Sequence, residues 1–108
     1  MTTPQYGEIW KVKLYPVRDS EQDGVRPCLV VGPNSMNNGL GTVIVLPMTR
    51  SLKDWPSRVA IKLNDEQGQA CIEHIRSISK SRFLKKLGKA TAEEMATASK
   101  HLQATFAL

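Results

Sequence analysis

The sequence predicts a mainly-β fold, an antiparallel barrel or sandwich with one helix at its C-terminal end. Five short segments have the patterns of β-strands, and turn residues rather than helices separate them, which argues against a βαβ arrangement. One amphipathic helix then follows near the end of the chain. A length of 108 residues suits one compact domain, so we expect a single domain over 1–108.

The strand-like segments are short and bounded by Gly, Pro, Asn and Asp. Some alternate apolar and polar side chains, and others are continuous apolar runs. They cover residues 7–14, 27–32, 42–49, 58–63 and 69–79, with a sixth expected at 83–90. Between them we expect loops or turns at 15–24, 33–41, 50–57 and 64–68. Pro27 has no N–H to give to a ladder, so we expect it at the first position of its strand.

The C-terminal helix begins with a recognisable start signal. In "TAEE", residues 91–94, the Thr91 hydroxyl can accept a hydrogen bond from the backbone near Glu94, whose carboxylate can reach back. Apolar side chains then recur at steps of three, four and four. We expect this stripe to pack on the barrel; it consists of Met95, Ala98, Leu102 and Phe106.

The charge is positive and unevenly distributed. The formal net charge is +5, and residues 76–89 contain six basic side chains and no acidic one. Such a block suits a polyanion, of which nucleic acid is the commonest in the cytosol, although a solvated charged face is the bland alternative. The six residues are Arg76, Lys80, Arg82, Lys85, Lys86 and Lys89.

Other features narrow the class of protein. No apolar run approaches the roughly 20 residues needed to span a membrane, and the N-terminus lacks a secretory pattern. Cys28 and Cys71 lie in apolar strand-like runs, so we expect buried, reduced thiols of a cytoplasmic protein. With two histidines besides, no spacing suggests a metal site, and we expect no cofactor.

Two junctions between loops and strands could carry chemistry. Arg26 precedes Pro27, which fixes the backbone, so its guanidinium would be held at a barrel rim where it suits a phosphate. Thr49 ends an apolar strand just before a loop, and Arg50 adds positive charge beside it. Taken alone, each residue is also consistent with an ordinary structural or solvated role.

His74 has two interpretations. Histidine is the side chain most often used to move protons near neutral pH, so His74 could act as a general base. If residues 69–79 form one strand, His74 shares a face with Ile72 and Arg76, and a strand histidine is more often packed or merely exposed.

Several stretches together resemble the MazF/PemK family of toxin endoribonucleases. They are "GEIWKVKLYP", "SEQDGVRPCLVVGPNSMN", "TVIVLPMT", "KDWPSRVAI" and "IEHIRSISKSRFLKKLGKAT", in that order, and the resemblance covers roughly residues 6 to 106. It implies a small SH3-like barrel of the CcdB/MazF type with a C-terminal helix. It also implies a cytoplasmic homodimer that cleaves single-stranded RNA at short sequences without a metal, leaving a 2′,3′-cyclic phosphate and a 5′-hydroxyl. A cognate antitoxin, with which such toxins bind DNA, would block the RNA groove with a disordered acidic segment.

The resemblance also implies site residues. The arginine of the "G-x-R-P" motif falls on Arg26 and the hydroxyl of "P-x-T" on Thr49, with Glu21 as a base or as an anchor for Arg26. Positions that contact RNA fall on Ser20, Glu21 and Gln22 in the first loop and on Glu73, His74 and Arg76. Arg50 is added as an RNA contact because of its positive charge beside Thr49. The sequence departs from some family members, which have a histidine at the position of Ser20 and an arginine at that of Cys71. The general base and the sequence cut therefore stay open.

Two other functions are weighed against the ribonuclease. A gyrase poison on the same fold would act without chemistry of its own, mainly through C-terminal residues, and "HLQATFAL" shows no such resemblance. A non-catalytic SH3-like binding module would not need the arginine and threonine pair. Both motifs and the basic block favour the endoribonuclease.

Overall fold

The computed structural model describes residues 2–14 and 24–108. Its strands are β1 (Glu8–Lys13), β2 (Val25–Val30), β3 (Thr42–Thr49), β4 (Arg58–Leu63), β5 (Glu66–Cys71), β6 (Arg76–Ser79) and β7 (Phe83–Lys89). Its α-helices are α1 (Asn34–Gly39) and α2 (Ala92–Thr105). This arrangement confirms the predicted mainly-β class with a C-terminal helix.

All seven strands belong to one antiparallel sheet. The order is β4-β5-β3-β2-β1-β7, and β6 pairs with β3 outside that path. One edge of β3 is shared, because its first half pairs with β6 and its last two residues pair with β5. The sheet therefore bends sharply at β3 and curls into a half-barrel, which brings the ends of β2, β3 and β5 together.

The sheet buries apolar side chains on both of its faces. One face packs against α2 through Met95 and Ala98, together with Ile9, Leu46 and Ile61. The opposite face forms a second cluster, which includes Val12, Cys28 and Val45 and is closed by Trp10 meeting the edge of Phe83 at 5.9 Å between ring centroids. Cys28 and Cys71 are both buried and unbridged, as predicted.

The start of α2 is as predicted and its end is not. Thr91 accepts from the backbone N–H of Glu94, and the Glu94 carboxylate accepts from the backbone N–H of Thr91. Met95 and Ala98 are buried and Leu102 packs beside them. Phe106 lies beyond the last helical residue and is 59% exposed, so the prediction that it packs on the barrel is wrong. None of the described helices is long and apolar enough to cross a membrane.

Several predicted boundaries are wrong for identifiable reasons. The segment 33–41 contains the short helix α1, whose Asn37 side chain donates to the carbonyl of Gly32 and replaces the turn expected there. β5 already begins at Glu66, because Asn64 and Asp65 alone form the hairpin turn with positive φ angles of 51° and 63°.

Two further differences concern the start of β2 and the segment 69–79. β2 begins at Val25, so Pro27 lies inside the strand; it is tolerated because the ladder with β3 starts only at Cys28. The segment 69–79 is not one strand, because a 3₁₀ turn over Ile72–His74 separates β5 from β6.

Candidate active site

The alternation of side chains along β2 and β3 places Arg26 and Thr49 on one face of the sheet. Arg26 lies opposite Val12, whose side chain belongs to the cluster on the face away from α2. Thr49 follows Val43, Val45 and Pro47 at steps of two, so it projects to that same face. The two predicted catalytic residues therefore meet where both strands reach the rim of the half-barrel.

A cleft of about 420 Å³ opens on this face, which we call the arginine cleft. Its walls come from β2, β3, β4, β5, the 3₁₀ turn and β6. The residues that define it are Arg26, Thr49, Arg58, Cys71, His74 and Arg76. Three guanidinium groups and a threonine hydroxyl thus border one concave space, a composition that favours an anionic ligand.

Arg58 organises the wall of the arginine cleft, and its side chain is only 8% exposed. Its Nε donates to Glu73 Oε2 at 2.6 Å, and its Nη1 donates to the carbonyl of Ser51 at 3.0 Å and to Gln69 Oε1 at 3.1 Å. Its guanidinium also lies 4.6 Å from the ring centroid of Trp55. Arg58 thereby ties the loop after β3 to β5 and to the 3₁₀ turn.

Sequence reasoning did not identify Arg58. The alternation of "RVAIKL" shows it as the first residue of a strand, but its partner Glu73 is fifteen residues away and on another element. The sequence does contain an indication of this ion pair. Arg58 and Glu73 have opposite charges, and residues in two strand segments can meet when the segments pair in an antiparallel sheet. The pairing of Arg58 with Cys71 is what brings Glu73 into reach.

Glu73 is held ionised by its surroundings. Burial alone would raise the pKa of this carboxyl, but hydrogen bonds from Ser57 and Arg58, together with the positive charge of Arg58, hold the pKa below its usual value. A carboxylate so tied and so acidic is a poor acceptor for a proton in catalysis. It can still receive hydrogen bonds from a ligand on its free lone pairs.

His74 is at the mouth of the arginine cleft and not on a strand. Its imidazole is 65% exposed and lies 3.9 Å from Glu73 Oε2. Ile72, by contrast, is buried in the core that contacts α2. The expectation that Ile72, His74 and Arg76 share one face is therefore wrong, because the 3₁₀ turn rotates successive side chains away from strand alternation.

The positive charges of the cleft also act on the two buried thiols, Cys28 and Cys71. Burial raises the pKa of Cys28 to about 12, even though Arg76 and Arg26 act to lower it. Burial likewise raises the pKa of Cys71, against the lowering effect of Arg58 and Arg26. Both thiols stay protonated at neutral pH, so they serve as packing groups and not as nucleophiles.

Arg26 and Thr49 also border a second space, which we call the hairpin cleft. It measures about 560 Å³ and lies between the start of β2 and the turn that joins β4 to β5. Thr49 Oγ1 accepts from the backbone N–H of Ser51 at 3.1 Å, which fixes the hydroxyl at the boundary. Arg50 borders the hairpin cleft and pairs with Glu66 at 2.8 Å, outside the arginine cleft.

The predicted site residues thus fall into three groups. The structure brings Arg26, Thr49, His74 and Arg76 together at the arginine cleft. Glu73 does not line that cleft and is held in an ion pair with Arg58, and Arg50 borders the hairpin cleft. Ser20, Glu21 and Gln22 lie outside the described residues.

The basic block does not form one surface. Arg76 borders the arginine cleft, whereas Arg82 donates to the carbonyl of Leu14 and Lys86 pairs with Glu8 at 2.9 Å. Lys85 lies opposite Lys11 in the pairing of β1 with β7, and both side chains are exposed. The block therefore supplies part of the site and part of the scaffold.

The described residues thus define a small mainly-β protein, a curled antiparallel half-barrel with an arginine-rich cleft at its rim. Residues 5–106 match the family model described as PemK-like, MazF-like toxin of type II toxin-antitoxin system. The chain therefore belongs to the PemK/MazF family of toxins, as its motifs predict.

Named relatives agree with that assignment. The chain is 36% identical over 102 residues to Endoribonuclease MazF9 of Mycobacterium tuberculosis, covering 83% of this chain and 85% of the relative. It is 31% identical over 93 residues to Endoribonuclease toxin MazF of Escherichia coli K12, covering 85% and 84%.

Solved structures share the fold over essentially the whole chain. MazF (Form-I) from Deinococcus radiodurans superposes with a TM-score of 0.80 at 25% identity, with 100% of both chains covered. A MazE-MazF structure from the same organism gives 0.78 at 26% identity, again over 100% of both chains. A mycobacterial endoribonuclease in complex with its cognate antitoxin gives 0.81 at 23% identity, covering 97% of this chain and 96% of that one.

Proposed function

We propose that this protein is the toxin of a type II toxin–antitoxin system and an endoribonuclease that cleaves single-stranded RNA, mRNA above all, in the cytoplasm. The observation that carries the proposal is the placement of Arg26 and Thr49 at the shared border of two clefts, at the rim of a family-typical half-barrel. Family membership and relatives named as endoribonucleases support the activity.

The chemistry assigned to the site is attack by the 2′-hydroxyl of RNA on its own adjacent phosphate. The 2′-oxygen loses its proton and bonds to phosphorus, the bond from phosphorus to the 5′-oxygen breaks, and that oxygen gains a proton. The products are a 2′,3′-cyclic phosphate and a 5′-hydroxyl. The step needs orientation, removal and return of a proton, and stabilisation of negative charge on phosphorus.

Arg26 suits the stabilisation of charge. It is exposed at the rim, and no ion pair to it is found within residues 2–14 and 24–108. Its guanidinium can therefore give two parallel N–H donors to the phosphate oxygens. Thr49 keeps its hydroxyl hydrogen available while Oγ1 accepts from Ser51, so it can donate to the same phosphate.

We propose Glu21 either as the general base or as an anchor for Arg26. Among the described groups at the cleft, Glu73 is committed to Arg58 and has a lowered pKa, and the Cys71 thiol has a raised one. Glu73, His74 and Arg76 are assigned to contacts with RNA next to the cut, with Ser20, Gln22 and Arg50 on the flanking loops. No step of this mechanism requires a metal or a cofactor.

A cognate antitoxin is proposed to inhibit the protein by laying a disordered acidic segment across the arginine cleft. The charge of Arg26 and Arg76 supports an acidic inhibitor. A homodimer is proposed as the working form of this single-domain chain, since Met36 and Leu40 on and after α1 and the neighbouring Tyr6 expose apolar surface. Light scattering at micromolar concentration should give twice the 12.0 kDa chain mass; a 12.0 kDa particle would refute the dimer.

The activity is tested with a long, unstructured RNA in EDTA, followed by mapping of the new ends. We expect cuts at one short motif, with cyclic phosphate and 5′-hydroxyl termini. A matching oligonucleotide with a single 2′-deoxy sugar at the cut should bind but not react. Cleavage that needs a metal, or that proceeds equally on the deoxy substrate, would contradict the mechanism. Absence of any cleavage by the folded protein would contradict the function and point to a binding role.

A further inference from the structure

The border between the two clefts has a chemical consequence for the substrate. Arg26 and Thr49 line both the arginine cleft and the hairpin cleft. A phosphodiester joins two nucleosides, so a phosphate held at this border can direct one nucleoside into each cleft. Both volumes, about 420 and 560 Å³, fall in the range of small-molecule sites.

We propose that the hairpin cleft is a binding site for one nucleoside adjacent to the cut phosphate, and that the arginine cleft takes the nucleoside on the other side. The inference rests on the proposed ribonuclease activity and deepens it. It assigns a substrate contact to the turn between β4 and β5, a part of the fold to which the sequence motifs assign no role.

The charge of the hairpin cleft favours a neutral group over a second phosphate. Apart from the shared Arg26, its basic residue is Arg50, and that guanidinium is paired with Glu66 at 2.8 Å. The arginine cleft has Arg58 and Arg76 besides Arg26. A nucleobase with its sugar is neutral, so it fits the hairpin side without leaving a phosphate beside the Glu66 carboxylate.

The walls of the hairpin cleft combine apolar side chains with amide groups. Val25, Pro27 and Leu63 supply apolar surface against which a base can lie. Asn64 and Gln67 stand at its edge and are exposed. Gln67 Nε2 donates to the carbonyl of Gly68 at 2.8 Å. This hydrogen bond fixes the orientation of the side-chain amide, including its oxygen. Such amides can pair with the edge of a base.

The turn holds Asn64 in a defined place. Asn64 and Asp65 have φ angles of 51° and 63°, and they connect strands whose pairing continues without a break from Leu63 opposite Glu66 to Arg58 opposite Cys71. Both residues are in the left-handed region, where glycine is also favourable. Asn64 borders the cleft and Asp65 does not, so the turn provides its own matched control.

The test uses a short RNA that contains the cut motif, together with two derivatives that lack the base on one side of the cut or on the other. Asn64→Gly and Gln67→Ala should each lower kcat/KM on the complete RNA about 3- to 10-fold, the size of one lost hydrogen bond. On one abasic RNA their effect should disappear, because the contact is already absent. On the other abasic RNA their effect should persist. Asp65→Gly should match the parent protein on all three substrates.

The outcomes separate the inference from the function on which it rests. If the parent protein cleaves but Asn64→Gly and Gln67→Ala act like Asp65→Gly, or weaken all three substrates equally, the hairpin cleft is not a nucleoside site. If the parent protein cleaves none of the RNAs, the ribonuclease function fails and the inference fails with it. Circular dichroism and the unfolding midpoint of each variant verify its fold. If Gln67→Ala is unstable, Asn64→Gly alone still tests the proposal.

Discussion

Replacing Arg58, which lines the arginine cleft, with methionine should destabilise the protein markedly. The change keeps an unbranched apolar stem but removes the ion pair to Glu73, the hydrogen bonds to Ser51 and Gln69, and the guanidinium that lies 4.6 Å from the ring centroid of Trp55. The loop after β3 loses the hydrogen bond through the Ser51 carbonyl, while two hydrogen bonds between Lys53 and Gln69 still attach it to β5. Glu73 keeps its hydrogen bond from Ser57, and the imidazole of His74 stays 3.9 Å from its Oε2.

The magnitude follows from burial. Breaking a fully buried ion pair costs roughly 3–5 kcal/mol, because a charge is left without its partner in a dry site. The Arg58 side chain is 8% exposed, but that of Glu73 is 26% exposed, so water can partly solvate the orphaned carboxylate. The two further hydrogen bonds are worth about 1 kcal/mol each before such compensation. We expect the free energy of unfolding to fall by about 2–3 kcal/mol.

Urea unfolding at neutral pH measures this loss. With a urea dependence of about 1–3 kcal/mol/M, the midpoint should fall by roughly 1–2 M. Arg50→Met is the matched control, since its ion pair with Glu66 is exposed on both sides and should contribute less than about 0.5 kcal/mol. A double variant with Glu73→Gln should show strong coupling between Arg58 and Glu73.

The pH dependence gives a second, independent measurement. The pKa of Glu73 is lowered in the folded protein, so its contribution is present above the pKa of the unfolded chain, about 4.3, and is lost as pH falls through the folded pKa. The difference between the parent protein and Arg58→Met should therefore be full above about pH 5 and shrink in acid. An unfolding midpoint for Arg58→Met equal to that of the Arg50→Met control, or a difference independent of pH, would refute this reasoning.

Further predictions concern the backbone at the site, the helix cap and the binding of RNA. Gly68→Ala would place a Cβ 3.1 Å from the carbonyl oxygen of Thr49, so it should shift that strand by a few tenths of an ångström and lower RNA cleavage several-fold; Gly41→Ala, with nothing within 4 Å, is the control and should cleave RNA like the parent. Glu94→Ala removes half of the capping box and the acceptor of the Lys62 backbone N–H. Thermal denaturation should show that the free energy of unfolding falls by about 1–2 kcal/mol. A fall of less than a few tenths of a kcal/mol would contradict a stabilising role for the capping box. RNA affinity, measured by fluorescence anisotropy, should fall steeply between 50 and 200 mM salt. The slope of the logarithm of the binding constant against the logarithm of the salt concentration should be about −0.7 for each phosphate contact. An affinity independent of salt would contradict binding by the arginines.

The sequence was sufficient for features that depend on local pattern. Side-chain alternation located β1 and β4, and continuous apolar runs located β3. The capping box of α2 was predicted to the residue, because Thr91 and Glu94 act over a single turn. The motif around Arg26 and Thr49 indicated two residues that the sheet does bring to one cleft.

The features that were missed depend on contacts between distant segments. Arg58 looks like an ordinary first residue of a strand until the pairing of β4 with β5 brings it to Glu73. The 3₁₀ turn that places His74 at the cleft mouth interrupts a segment whose isoleucines suggest a single strand. Helix α1 depends on the buried side chain of Asn37, which in sequence looks like turn chemistry.

The hairpin cleft was not predictable from any motif. It exists because the curl of the sheet brings the start of β2 against the turn after β4, two segments almost forty residues apart in the chain. Asn64, next to Asp65, has the sequence signature of a tight turn and nothing more. Its relation to Arg26 appears only in the folded sheet.

The most direct test of the central claim measures kcat/KM for cleavage of one short RNA, in EDTA, by the parent protein, Arg26→Ala and Thr49→Val. Arg26 and Thr49 act on the reacting phosphate in this account, so each change should lower kcat/KM by at least about 100-fold, with unfolding midpoints unchanged. Lys85→Ala, a loss of one positive charge outside both clefts, should stay near the parent rate. Parent-like cleavage by Arg26→Ala would contradict the account.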